Sequence, residues 1–251
     1  MLDPMVSGVF AGNPEVMSLR SSFPRIHELE QRYGSLVKAM VALGMEKRRV
    51  GGGRTSDRAG PAGPGGVLTS FTGGMQELVD ALGKHLDGKV RLSTPLAGIE
   101  KNEAGKPVLA FDLQGGGRLR RDFDQVILAL PAPAAAAAFS ASDPTLAAQL
   151  ERIPYSAVSV VHLGYEGAAA ATLPEGFGFL IPSRERRRIL GALFASSIFE
   201  HRAPAGERLF TAIVGGARHP ELALLSRDSL VELVQGELAE LVGLTATPLF
   251  V

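Results

Sequence analysis

Between residues 70 and 131 the spacing of apolar positions changes several times, and each spacing predicts an element. In SFTGGMQELVDALGKHL, Met75, Leu78, Val79, Leu82 and Leu86 recur every three or four residues, while Glu77, Asp80 and Lys84 fall on the other side. That is the period of an amphipathic helix. Gly73 and Gly74 stand at its start, where free N–H groups could face a phosphate, although a plain tight turn suffices. VRLSTPLAGIEKN predicts a short strand with a bend at Pro95 and Leu96, and VLAFDLQGGGRLRRDF predicts two alternating strands around a glycine run. Val126, Ile127, Leu128, Ala129 and Leu130 are continuously apolar and stop at Pro131, as a strand covered on both faces would.

The first 45 residues read as helical-hairpin material. Asn13 and Pro14 suit a cap and a first helical position, Pro24 can open a second helix, and Ile26, Leu29, Tyr33, Leu36, Val37, Met40 and Leu43 keep helical spacing. The expectation is a helix packed on a core. Residues 46–66, EKRRVGGGRTSDRAGPAGPGG, have no apolar period and predict a mobile surface loop, of which 48–66 is expected to be cut first in limited proteolysis. Gly51, Gly52 and Gly53 are not a phosphate loop, because no Gly-Lys-Ser or Gly-Lys-Thr follows them. Beyond Pro133 an alanine-rich run predicts a short helix, and Asp143 with Pro144 caps another. SVVHLGY, GFGFLIP, ILGALFASS and LFTAIVGG then predict an antiparallel sheet with one covered face. A last helix carries Leu230, Val234, Leu238 and Leu241 on one side, opens near Ser226 and ends at Gly243.

Composition mainly excludes. The 251 residues hold 26 Lys and Arg against 26 Asp and Glu, so net charge predicts no nucleic-acid partner. The absence of cysteine rules out disulfides, thiolate metal sites and a cysteine nucleophile, and the five histidines lack ligand spacing, so no metal is expected. No run of about 18 apolar residues predicts a membrane span, and MLDPMVSGVFAG lacks the layout of a secretion signal. The expected location is cytoplasmic, with peripheral attachment to a membrane left open. Arg184, Arg186, Arg187 and Arg188 predict a solvated turn, with attraction to anionic lipid as the alternative. Gly176-Phe177-Gly178 lacks the third glycine of a dinucleotide fingerprint.

GGMQELVDAL, STPLAGI and DFDQVILALPAP, in this order, resemble the central part of the flavin-containing amine oxidase superfamily. The resemblance implies part of an FAD-binding, Rossmann-like domain in which the backbone after the Thr-Pro pair lies along the adenine, and it points to Leu96. VSGVFAGNPEVMSLRSSFPRIHELEQRYGSL is similar to the protoporphyrinogen oxidase family, where this region is mostly helical, forms the substrate channel and faces the membrane. GFGFLIPS, ASSIFEHRAP and IVGGARHPEL resemble the same family, and imply that Phe177, Gly178, Leu180 and Ile213 line the porphyrinogen pocket. The chemistry agrees, since a flat apolar macrocycle suits an aromatic or branched wall and a glycine at close approach. By pattern alone Phe177, Leu180 and Ile213 would be ordinary core residues.

The implied architecture is mixed, α+β with α/β: a helical channel region over 1–66, part of an FAD-binding domain over 67–136, and an antiparallel-sheet substrate domain over 137–251. The implied protein is an FAD-dependent oxidase converting protoporphyrinogen IX to protoporphyrin IX with oxygen as acceptor, late in haem synthesis. This chain corresponds to its middle, without the opening Gly-x-Gly-x-x-Gly turn or the C-terminal part of the flavin site. The fragment alone is expected to be inactive, and no catalytic base can be nominated. A coproporphyrinogen-oxidising relative and a non-catalytic, partner-dependent porphyrin-binding fragment are the alternatives. A homodimer of the complete enzyme is left open.

Overall fold

The computed structural model describes residues 2–49, 68–169 and 176–251. Packing divides the chain into two compact units, Met1–Gly74 with Ser156–Val251, and Met75–Tyr155. The division of roles at 66 and 136 and the division by packing thus differ: residues 137–155 pack with the three-stranded sheet of the second unit, and the N-terminal helices share a unit with the C-terminal sheet.

Four helices open the chain: α1 (Leu2–Phe10), α2 (Leu19–Ser22), α3 (Pro24–Tyr33) and α4 (Leu36–Arg49). Pro24 opens α3 as its sequence position predicts. Pro14 opens no helix; Asn13 instead folds a turn, its Oδ1 accepting the Glu15 N–H at 3.1 Å and its carbonyl accepting from Val16 and Met17. The cap moves to Ser18, whose hydroxyl accepts the Ser21 N–H at 3.2 Å. The single helix predicted from Pro24 onward is two, because Gly34 adopts a left-handed φ of 74° and terminates α3. Val37 and Met40 are 72% and 73% exposed, so the expected packing of this stripe on a core is not found; Ala39 is the buried position. The helix α4 also runs to Arg49, into the stretch predicted as loop from 46, and residues 50–67 lie outside the described residues.

The second unit begins with α5 (Gln76–His85), followed by β1 (Leu96–Lys101), β2 (Pro107–Asp112), β3 (Arg118–Asp122), α6 (Ala132–Phe139) and α7 (Pro144–Glu151). The strands form an antiparallel sheet in sequential order, and Gly115, Gly116 and Gly117 turn β2 into β3 at φ of 91° to 98°. Ile99 and Leu109 pack against Ala138 of α6, which accounts for an alanine-rich helix: small side chains let it lie close to the sheet. Asp143 caps α7 through the Leu146 N–H at 2.9 Å.

Two expectations fail in this unit. Residues 126–130 form no strand, and Ile127 is 94% exposed. An apolar run becomes a buried strand only where neighbouring strands take its N–H and C=O groups, and no strand among the described residues pairs with it. The helix α5 forms where its period predicts, yet Met75, Val79 and Leu82 on its apolar face are exposed.

The C-terminal part of the first unit holds β4 (Val158–Glu166), β5 (Gly178–Leu180), β6 (Ile189–Phe194), α8 (Ala195–Ile198), β7 (Glu207–Gly215) and α9 (Arg227–Val242). The strands form one antiparallel sheet in the order β4-β7-β6-β5. One face buries Val161, Leu163, Tyr165, Ala192, Phe194, Phe210, Ala212 and Val214 against Leu233, Val234 and Leu238 of α9. Phe210 makes edge-to-face contacts with Phe194 at 5.3 Å and Tyr165 at 5.7 Å between ring centroids. Ser226 caps α9 and Gly243, at φ 71°, ends it, both as the sequence predicts.

Candidate functional site: the open face of the four-stranded sheet

Successive side chains of a strand point to opposite faces, so the residues between the core positions share the other face. Register then fixes two rows across the four strands. Val160, Ile213, Gly191 and Leu180 are aligned in one, and His162, Thr211, Leu193 and Gly178 in the next. Val160 is 51% exposed, Leu180 and Leu193 are 36% exposed, and Ile213 is half-buried. Four of these eight positions, Val160, Ile213, Leu180 and Leu193, carry apolar side chains, and none belongs to the core cluster.

The structure therefore brings Gly178, Leu180 and Ile213 together on one face. Phe177 is half-buried just before β5, and its carbonyl accepts the Phe194 N–H at 3.0 Å, which sets it across from a residue of the core face. Gly178 needs no ligand to explain it. Its φ is 123°, and a Cβ there would lie 2.0 Å from the Ala192 carbonyl oxygen. Leu193, Val160, His162 and Thr211 were not singled out by sequence, although the two-residue alternation counted from Leu180 and Ile213 across the register reaches all four.

The helix α1 sits against Leu180. A Cβ on Gly8 would come within 2.4 Å of Leu180 Cδ2, so glycine is what allows this approach. Asp3 ties down the helix start: its Oδ2 accepts the Ser183 N–H and its Oδ1 accepts from Arg218 Nη1, each at 2.7 Å. At the other end the Ala217 N–H donates to the Ala11 carbonyl at 2.8 Å. The stretch VSGVFAG is thus a helix and a turn fitted to the sheet at both ends.

The Ser183 N–H, with help from Arg218, holds the Asp3 carboxyl below the usual carboxylate range. A depressed carboxylate contributes stability that is complete above its unfolded value near pH 3.9 and is lost as pH falls through the lower folded value. The α1 contact is therefore expected to loosen below about pH 4. Asp3→Ala is expected to lower stability by about 1.5–3 kcal/mol at pH 7, the range for hydrogen bonds to a charged group. Hydrogen exchange of the α1 amides checks both, and protection unchanged by the substitution would contradict them.

Three of the four arginines of the run face acids. Arg187 pairs with Glu240 and lies 3.8 Å from Glu237, Arg188 Nε is 3.3 Å from Glu237, and Arg184 Nε is 3.2 Å from Glu185. Glu237 is buried and also accepts the Arg188 N–H at 3.2 Å, so this turn is fastened to α9.

In the second unit, Leu96 begins β1, the edge strand of its sheet, with its side chain on the Ile99–Leu109–Ala138 cluster. An edge strand leaves one row of backbone N–H and C=O groups without a sheet partner. That suits a backbone contact to a planar ligand. Gly74, at φ 94°, closes a tight turn by donating its N–H to the Phe71 carbonyl at 3.0 Å. Arg202 Nη2 donates to Ser70 Oγ and, at 3.3 Å, to the Phe71 carbonyl of the same turn. The five histidines build no metal site: among the described residues no group of three His, Cys, Asp or Glu could hold an ion.

The family profile of flavin-containing amine oxidoreductases matches residues 1–251, and the chain belongs to that family. The mitochondrial protoporphyrinogen oxidase of Nicotiana tabacum is 31% identical over all of this chain and 52% of its own length. The coproporphyrinogen III oxidase of Bacillus subtilis (strain 168) is 27% identical over 99% of this chain and 50% of its own. A solved structure from Exiguobacterium sp. 255-15 shares the fold, with a TM-score of 0.75 at 24% identity, covering 99% of this chain and 49% of that one. The chain spans about half the length of the relatives it matches.

Proposed function

We propose that this chain is the substrate-binding part, with a portion of the flavin-binding part, of an FAD-dependent oxidase that converts protoporphyrinogen IX to protoporphyrin IX with oxygen as acceptor. The observation that carries the reading is the two-row open face, where Leu180, Leu193, Ile213 and Val160 make a flat apolar wall opposite the packed core. A planar macrocycle laid on that wall removes apolar surface from water at about 25 cal/mol per Å². Such a wall orients the ring and excludes water from one side of it. Phe177, half-buried just before β5, completes the lining in this reading.

FAD, when bound, accepts the hydride equivalents and passes electrons to oxygen. Leu96 would hold the adenine end through its backbone, in a domain completed to a Rossmann-like sheet. Residues 126–130 are the apolar stretch that such a sheet would cover. Among the described residues no strand leads through a glycine-rich turn into a helix to cradle a pyrophosphate. The chain alone is therefore expected to elute from gel filtration without flavin absorbance after incubation with excess FAD. A stoichiometric flavin peak would show that the contacts within this chain suffice.

No helix among the described residues is long and apolar enough to cross a membrane. Peripheral contact belongs to the same proposal, supported by the exposed apolar stripe of Val37, Met40 and Val41 on α4.

A further inference from the structure

Leu180 ends β5 and stands at one end of the first row, and the space its side chain occupies is bounded by two glycines. Its register partner on β6 is Gly191, and a Cβ there would lie 3.1 Å from Leu180 Cδ2. A Cβ on Gly8 of α1 would lie 2.4 Å from that same atom, 3.1 Å from Cγ and 3.3 Å from Cδ1. The isobutyl group thus lies in a slot between a strand and a helix, while the residue is still 36% exposed on the open face.

The two glycines differ in what requires them. At Gly191 a Cβ would also lie 2.3 Å from the Phe179 carbonyl oxygen, so the backbone of β5 excludes a side chain whatever stands at 180. At Gly8 the three nearest heavy atoms all belong to Leu180, and no left-handed φ calls for glycine. Glycine inside a helix weakens it relative to alanine. What Gly8 makes room for is the Leu180 side chain.

A helix free to shift would accommodate an added methyl by moving away, and α1 is not free. In its first turn Asp3 accepts from the Ser183 N–H and from Arg218 Nη1, each at 2.7 Å, and just beyond its last turn the Ala11 carbonyl accepts the Ala217 N–H at 2.8 Å. Between them the buried Ser7 donates its hydroxyl to the Asp3 carbonyl at 2.8 Å. Both tethers run to segments that follow sheet strands, residue 183 after β5 and residues 217 and 218 after β7. The softest part of the contact is the end of the leucine side chain, which turns about two bonds. A Cβ at position 8 therefore displaces Leu180 from the slot.

We propose that Gly8 is a positioning residue: by putting no side chain into the slot, it fixes where Leu180 stands in the wall against which a porphyrinogen is held. This rests on the reading of the open face as that wall. Dispersion contacts are steep in distance, and a gap opened by about 0.5–1 Å forfeits roughly a quarter to a half of each one. A small displacement of Leu180 is thus felt in binding, although position 8 touches no substrate.

The test uses the complete protein that contains this chain, supplied with FAD, in four versions: wild type, Gly8→Ala, Leu180→Ala and the double variant. The rate at which porphyrin fluorescence appears from protoporphyrinogen IX gives KM and kcat, and the melting temperature is measured beside them. Gly8→Ala is expected to raise KM about five-fold with kcat and melting temperature unchanged, the pattern of lost binding shared by ground and transition states. In the Leu180→Ala background the same substitution is expected to change KM by less than about two-fold, because no side chain is left to displace. A Gly8→Ala enzyme with the wild-type KM overturns the role. So does an equal rise in both backgrounds, and so does a rise with a fall in melting temperature that Leu180→Ala does not relieve, the mark of a misplaced helix alone. A wild type that oxidises no porphyrinogen overturns the reading of the wall, and the role of Gly8 with it.

Discussion

Replacing Phe210 by alanine is expected to lower the stability of the first unit by about 3–5 kcal/mol, the cost of a cavity left by a buried phenyl ring. Phe210 is 2% exposed and meets two aromatic neighbours edge-on, so truncation removes transfer free energy and two ring contacts together. Leu193, on the adjacent strand but the opposite face, is the comparison. It covers no core, and Leu193→Ala should cost well under half as much. Urea unfolding followed by far-ultraviolet circular dichroism measures both. Equal losses would mean that both faces are packed, and the open face would no longer be available to a ligand.

How much was legible in the sequence depends on whether a pattern carries its own partner. Ser226, Gly243, Asp143 and Pro24 bracket helices through bonds made within a few residues, and the structure places all four where they were predicted. The four strands of the C-terminal sheet were legible too. Their alternation is kept because each of the four finds a hydrogen-bonded neighbour among the described residues.

Residues 126–130 are the opposite case. Their apolar run reads as a buried strand, but a strand is completed by neighbours, and none among the described residues pairs with it. The exposed stripes of α4 and α5 follow the same logic: amphipathic period forms the helix, and a covering surface has to come from elsewhere. Gly34 was missed because a lone glycine within an apolar period is compatible with a continuous helix until its φ is known.

Part of the candidate site was legible and part was not. Leu180 and Ile213 were found by resemblance, and register shows that they share a row. The glycine at 178 was attributed to close approach of a ligand, whereas the Ala192 carbonyl and a φ of 123° demand it regardless. His162 was discounted because it has no ligand-spaced histidine near it in sequence. Its partner Thr211 lies 49 positions away, and only the sheet register brings the two together.

The central claim, that the open face is the wall against which a porphyrinogen is oxidised, is tested most directly by a charge placed in its middle. Ile213→Glu, made in the complete protein that contains this chain and supplied with FAD, would put a carboxylate under the macrocycle, where substrate binding must strip its water. The rate at which porphyrin fluorescence appears from protoporphyrinogen IX gives the Michaelis constant. The account predicts FAD-dependent oxidation by the wild type and a constant at least about ten-fold higher in the variant, worth about 1.4 kcal/mol or more, with little change in melting temperature. An active variant with an unchanged constant would contradict it.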